Sequence, residues 1–196
     1  MSWIQRRWRS LSTPKVLKIE NKKKIEPIDG SKPDFQGEFT NLRATRTAIK
    51  TGYRGTLLIN EGYLFSGIQR FVNGDIVNYG ETVKSDINFV MPESLRASLW
   101  IGRVLRVQEG NRIVGKIIVR KIFNTILDRD LAFPCSDPHR ILEEQDIVNA
   151  VSKLRLTNKN HLPMDIVILK KYPKLSGQEI QLLADHLEGV DAKAKD

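Results

Sequence analysis

Gln108-Glu109-Gly110-Asn111-Arg112-Ile113-Val114-Gly115-Lys116-Ile117-Ile118-Val119 is the stretch on which the fold turns, because it supports two incompatible readings. Gly110, Gly115 and Lys116 fall on the G-x-x-x-x-G-K spacing of a phosphate-binding loop, with only the final Ser or Thr missing. The same residues also read as a tight turn feeding a β-strand. A phosphate loop must open a helix, because the helix N-terminus holds the phosphates. Here Ile117-Ile118-Val119-Arg120-Lys121-Ile122-Phe123 follows Lys116. β-Branched residues lose rotamer freedom in a helix and pack well on a pleated sheet. Ile117 offers magnesium no hydroxyl. Gly110-Asn111 suits a two-residue turn, since both residue types tolerate positive φ. The physical reading is therefore a hairpin, and with it a binding module rather than a nucleotide enzyme.

Strand patterns continue on the N-terminal side. Phe35 to Ile49 is mostly polar/apolar alternation rich in Thr, and Tyr53 to Asn60 contains Thr56-Leu57-Leu58-Ile59. Glu61-Gly62 reads as a hairpin turn into Tyr63 to Ile68, and Asn73-Gly74 as another turn. Val83, Ser85, Ile87 and Phe89 share one face of a strand, and Lys84, Asp86 and Asn88 share the other. Ser98 to Val107 reads as a further strand carrying Trp100. Closely spaced strands without an intervening helix period predict a mainly β protein, built on an antiparallel barrel or sandwich.

Two flanking regions differ in character. Residues 1–32 read as a basic arm: Trp3-Ile4-Gln5-Arg6-Arg7-Trp8-Arg9 interleaves aromatics with arginines, and Lys22-Lys23-Lys24 precedes a segment broken by Pro27, Gly30 and Pro33. Such a segment suits base stacking and phosphate pairing. It equally suits a membrane surface or a protein partner, or a terminus with no function of its own. Residues 127–196 read as mainly helical. Asp137-Pro138 starts a helix whose stripe runs through Ile141, Leu142, Ile147, Val148, Val151 and Leu154. Leu162 to Leu169 is ambiguous, with Ile166-Val167-Ile168 leaning to strand. Ser176-Gly177-Gln178-Glu179 matches a capping box, and Gly189 is expected to end that helix.

Composition sets outer limits. The chain has 196 residues, 40% hydrophobic and 28% charged, an ordinary balance for a globular protein. No apolar run is long enough for a membrane-spanning helix, and the N-terminus lacks the apolar core of a secretory signal, so a cytoplasmic location is expected. Cys135 is the only cysteine, and the three histidines show no metal-ligand spacing, so neither metal nor cofactor is expected. The net charge of +9 is uneven. Residues 1–30 carry eight Lys/Arg against three Asp/Glu, residues 31–126 fourteen against eight, and residues 127–196 ten against twelve. A basic surface over the first two thirds draws polyanions, or only aids solubility.

Residues 33–126 resemble domain III, the C-terminal β-barrel, of elongation factor Tu. Gly52-Tyr53-Arg54 is similar to that domain's Gly-Tyr/Phe-Arg-Pro segment. Tyr79-Gly80-Glu81-Thr82-Val83-Lys84 is similar to Pro-Gly-Asp/Glu-x-Val-x, and ends likewise in an apolar strand and a proline, Pro92. Gln108 to Gly115 is similar to Arg-Glu-Gly-Gly-Arg-Thr-Val-Gly. Gly55 and Tyr79 stand where the family has Pro, and Gln108 where it has Arg. The resemblance implies a six-stranded antiparallel barrel and a surface that meets tRNA and other translation factors. It does not imply GTP hydrolysis. There is no GTPase domain, and in Asn158-Lys159-Asn160-His161 a histidine replaces the aspartate that would read guanine.

The chemistry expected is binding without catalysis. Cys135 and His139 lie close in sequence, but Asp137 beside them opposes a thiolate. Glu143, Glu144 and Asp146 form an acidic cluster of the kind that usually faces solvent. The leading expectation is an RNA- or translation-associated module acting on tRNA, ribosomal RNA or a translation factor. Its candidate nucleic-acid contacts are Arg6, Arg7, Arg9, Lys22, Lys23, Lys24, Tyr53, Arg54, Glu109, Gly110, Asn111, Arg112 and Lys116. The alternative is a protein-interaction module that mimics the factor or binds its partners, such as an immunity protein against a toxin or a decoy. For Glu109 to Arg112 the plain alternative is a hairpin turn with no further role. For Arg54 it is a carboxylate pair that holds the barrel together.

Overall fold

Alternation of side chains builds the barrel. In β1 (Phe35–Asn41) every second residue points inward: Phe35, Gly37, Phe39 and Asn41 are buried, and the residues between them are half-exposed. The same period runs through β3 (Tyr53–Asn60), β4 (Tyr63–Phe71), β6 (Thr82–Phe89), β7 (Val104–Glu109) and β8 (Arg112–Ile122). In this computed structural model, which describes residues 32–158 and 161–193 (backbone alone from 189 on), these six strands close into an antiparallel barrel in the order β1-β6-β4-β3-β7-β8. Residues 1–31 of the basic arm, with Arg6, Arg7, Arg9, Lys22, Lys23 and Lys24, lie outside the described residues.

The interior is filled by Phe35, Phe39, Leu57, Ile59, Ile87, Leu105, Val107, Ile117 and Val119. Glycines sit where neighbours leave no room. A Cβ on Gly115 would lie 2.4 Å from the Phe39 ring and 2.6 Å from the Thr40 carbonyl. The glycine that completed the phosphate-loop pattern is therefore a packing residue in mid-strand.

The expected turns form, with one refinement. Gly110 has φ 58° while Asn111 stays at negative φ, so only the first residue of the β7–β8 turn is left-handed. That is the glycine-first pattern of a type II′ hairpin. Asn73-Gly74 does not close a simple hairpin. Its bend leads into β5 (Ile76–Val77), which pairs with β2 (Ile49–Lys50) in a separate ribbon, while β4 pairs with β6. Ile49 and Val77 of that ribbon are buried and join the barrel core.

Two strands are shorter than the sequence suggests. β1 stops at Asn41, not Ile49, because this inward-facing amide is satisfied by the loop. Its Nδ2 donates to the carbonyls of Thr47 and Val77, both at 3.0 Å, and its Oδ1 accepts from Arg43 N. β7 starts at Val104, not Ser98, because Ala97 at φ 50° and Gly102 at φ 90° break the extended chain.

The helical region packs on a second core around Trp100, with Val148, Val151, Ile168, Ile180, Leu183 and Leu187. After a short α1 (Arg129–Ala132), the stripe read from Ile141 divides into a 3₁₀ turn (Pro138–Leu142), capped by Asp137, and α2 (Gln145–Thr157). Ile166-Val167-Ile168 is helix, not strand. α3 (Met164–Lys171) starts after Pro163 and carries Asp165 in its first turn and Lys170 and Lys171 in its last, matching the helix dipole. Burial of Ile166 and Ile168 outweighs the modest cost of β-branching. α4 (Gly177–Lys193) begins with the expected capping box, Ser176 N to Glu179 at 2.8 Å and Glu179 N to Ser176 Oγ at 3.1 Å. It continues through Gly189, which helices tolerate at about 1 kcal/mol relative to alanine.

All described residues fall in one compact unit. Its two cores are tied by Arg103. This fully buried guanidinium donates to Asp165 of α3 at 2.9 Å, to the Ile59 carbonyl of β3 at 2.5 Å and to the Ser98 carbonyl, and lies 4.4 Å over the Trp100 ring.

Candidate functional site

Antiparallel closure puts the C-terminal ends of β1, β4 and β7 and the N-terminal ends of β3, β6 and β8 at one end of the barrel. The helical region contacts the other end, through Glu61 in the β3–β4 turn, which pairs with Lys170, and through Arg103. The first end is thus formed by loops and by the β2–β5 ribbon. Its segments 42–54, 70–81 and 109–112 carry Arg43, Arg46, Lys50, Arg54, Arg70 and Arg112 against Asp75, Glu81 and Glu109.

Two of the motifs singled out in sequence meet at this rim. Tyr53 opens β3 and Glu109 closes β7, and the pairing of Thr56 with Gln108 sets them side by side. Tyr53 Oη donates to Glu109 Oε1 at 2.9 Å, and Arg43 Nη2 donates to the same oxygen at 2.5 Å. The Arg43 guanidinium also lies 5.6 Å over the Tyr53 ring. Burial, reinforced by the hydrogen bond to Glu109 and by its charge, pushes the Tyr53 phenol up to about 12. Glu109 thus holds Arg43 and Tyr53 together at the rim, with its side chain half exposed.

Arg112 pairs across the hairpin with Glu109 and is exposed, as is Asn111 beside the left-handed Gly110. Arg54 is exposed on β3, opposite Ile68. Lys116 does not join the rim. It lies on the barrel wall opposite Thr40 and Arg106, in a cleft of about 480 Å³ that also contains Asp185 and Glu188 of α4. A phosphate there would meet two carboxylates.

Sequence reasoning missed Arg43, Arg46 and Tyr79. Arg46 has φ 53°, and its guanidinium lies 5.5 Å over the ring of Tyr79, which is 47% exposed. Reading Phe35 to Ile49 as one strand hid both arginines in an apparent alternation. The signal that marks them is Asn41, a polar residue at an inward strand position. Glu81 is held by Asn78, whose backbone N and Nδ2 donate at 2.8 and 3.1 Å, and these bonds lower its pKa.

The other chemistry noted in sequence is arranged for structure. Asn158 closes its own loop, donating to the Leu162 carbonyl at 2.8 Å and accepting from Leu162 N at 3.2 Å. Desolvation and Glu179 raise the Cys135 thiol, with Asp137 N and Ser176 opposing, so a thiolate is disfavoured. Among the described residues, no group of three or more His, Cys, Asp or Glu is placed to hold a metal, and no helix is long and apolar enough to cross a membrane. No family model matches the chain, and no curated protein matches it.

Proposed function

We propose that the loop end of the barrel is a noncatalytic RNA-binding surface, with tRNA or ribosomal RNA as the partner. The observation that carries this reading is the placement of Arg46, Lys50, Arg54 and Arg112 on one rim beside an exposed tyrosine. Two of the three acids in those segments, Glu81 and Glu109, are engaged by neighbouring side chains. Guanidinium groups supply phosphate contacts, and an exposed ring backed by arginine supplies stacking for an unpaired base. The resemblance of residues 33–126 to the elongation factor Tu barrel favours a partner in translation. The cations of the N-terminal arm would add phosphate contacts of the same kind.

The cleft at Lys116 favours a second reading. Leu42, Val104 and Ile113 are exposed there between the basic wall of Arg106 and Lys116 and the acidic residues of α4. Mixed charge around apolar side chains suits a protein partner, as a factor mimic or an immunity protein would need. Affinity capture from a lysate, with and without nuclease, separates the two. RNA binding predicts recovery of RNA and loss of co-purifying proteins after nuclease treatment. One stoichiometric protein that survives the nuclease supports the second reading and overturns the first.

A further inference from the structure

Arg46 and Tyr79 come from different loops of the basic rim, and one buried residue fastens both. Asn41, at the end of β1, donates through Nδ2 to the carbonyls of Thr47 and Val77, both at 3.0 Å. Its backbone N donates to the Glu81 carbonyl at 3.1 Å, and its own carbonyl accepts from Gly80 N at 2.8 Å. The loop that carries Arg46 is thereby tied to the turn that carries Tyr79. The Glu81 carboxylate closes that turn from within by accepting from Asn78 N and Nδ2. Gly80, at φ 80°, supplies the left-handed residue in it.

On this clamp the Arg46 guanidinium lies 5.5 Å over the Tyr79 ring. Arg46 N donates to the Arg43 carbonyl at 2.8 Å, and its φ of 53° is one that residues other than glycine seldom adopt. Strain held in place by surrounding bonds is a feature of a preorganised site. The Tyr79 ring is also not consumed by packing, since the residue is 47% exposed. Tyr53, the other tyrosine of the rim, is engaged: its hydroxyl donates to Glu109 and Arg43 lies over its ring. Tyr79 is therefore the ring that the rim presents to solvent.

A flat ring beside guanidinium groups recognises the face of a base. In a duplex each base is stacked on its neighbours and shows only its edges in the grooves. A ring fixed on a turn thus reaches only a base that is unpaired and turned outward. Resting on the RNA reading of the rim, we propose that its ligand class is single-stranded RNA, as in a loop, bulge or end. One unpaired base stacks on Tyr79, and the rim cations hold the flanking phosphates. Charge alone points the other way. A duplex carries its phosphates more densely than a single strand, so a rim that bound by charge alone would favour the duplex.

Fluorescence anisotropy of the full chain with one unstructured RNA strand, alone and annealed to its complement, tests this. The single strand should bind more tightly than the duplex. Tyr79→Ala should weaken single-strand binding about tenfold, on the order of one lost base stack, and leave duplex binding unchanged. Tyr79→Leu, which keeps apolar bulk without a ring, should act in the same way, whereas Tyr79→Phe should bind as the parent does. Unchanged duplex binding in each variant also shows that the rim is still folded. A duplex bound as tightly as the strand, or a Tyr79→Ala variant that weakens both or neither, overturns the stacking proposal and leaves the RNA reading standing. Binding of neither probe overturns both.

Discussion

The Glu109 carboxylate accepts from both Arg43 and Tyr53, so its replacement should be felt by two neighbours at once. The folded-state pKa of Tyr53, about 12, lies above its ordinary value of 10.0. The folded state therefore holds this proton more tightly than the unfolded chain does. The associated stabilisation is complete below pH 10 and is lost as pH rises through 12. In an ultraviolet titration of phenolate absorbance, one of the four tyrosines should ionise later than the others. Glu109→Gln should move that step down toward 10, though not fully, because burial remains the leading cause. An unchanged late step would mean that Glu109 does not hold Tyr53. The same residue shows why a motif can be found before its role is. Sequence marked Glu109 as a candidate contact, and the placement of Arg43 adds that it anchors a cation and a ring.

At the scale of elements, strands were legible where alternation and turn chemistry agreed. Tyr53 to Asn60 and Val83 to Phe89 formed as read, because each carries an apolar face and ends at a turn. β1 was read too long because Thr and Arg after Asn41 continue the alternation without being paired. α3 was misjudged because three β-branched residues speak for a strand locally, while the burial of Ile166, and of Ile168 in the second core, is a tertiary fact. Gly115 illustrates the same limit. Its spacing suggested a phosphate, but its neighbours are Phe39 and a backbone carbonyl. Gly115→Ala should destabilise the fold by about 1–3 kcal/mol, the usual cost of overpacking a tight core, measured by urea denaturation. Gly110→Ala tests a different cause, since open space surrounds it and only its φ of 58° resists a side chain. A Gly115 variant as stable as the parent would refute the close packing of β1 on β8.

Across the whole molecule, the barrel and helical layer are joined by a buried ion pair. Trp100, Arg103 and Asp165 meet between the two cores, and Gly177 leaves room for Trp100, as a Cβ there would lie 2.2 Å from the Trp100 Cβ and 2.4 Å from its ring. Asp165→Ala would strand the Arg103 charge in a desolvated site and should cost about 3–5 kcal/mol, seen as a lowered urea midpoint. A loss below about 1 kcal/mol, the level of an exposed pair, would contradict this joint. With helices on one end and along part of the wall, the other end is the basic loop end proposed to bind RNA. Filter binding of the full chain to tRNA across a salt series tests that assignment most directly. The logarithm of the affinity should fall linearly with the logarithm of salt. Arg46→Gln and Arg112→Gln should each reduce the slope by roughly 0.7 to 0.9, the value of one phosphate contact. Binding that is absent, or whose salt dependence both variants leave unchanged, would contradict it.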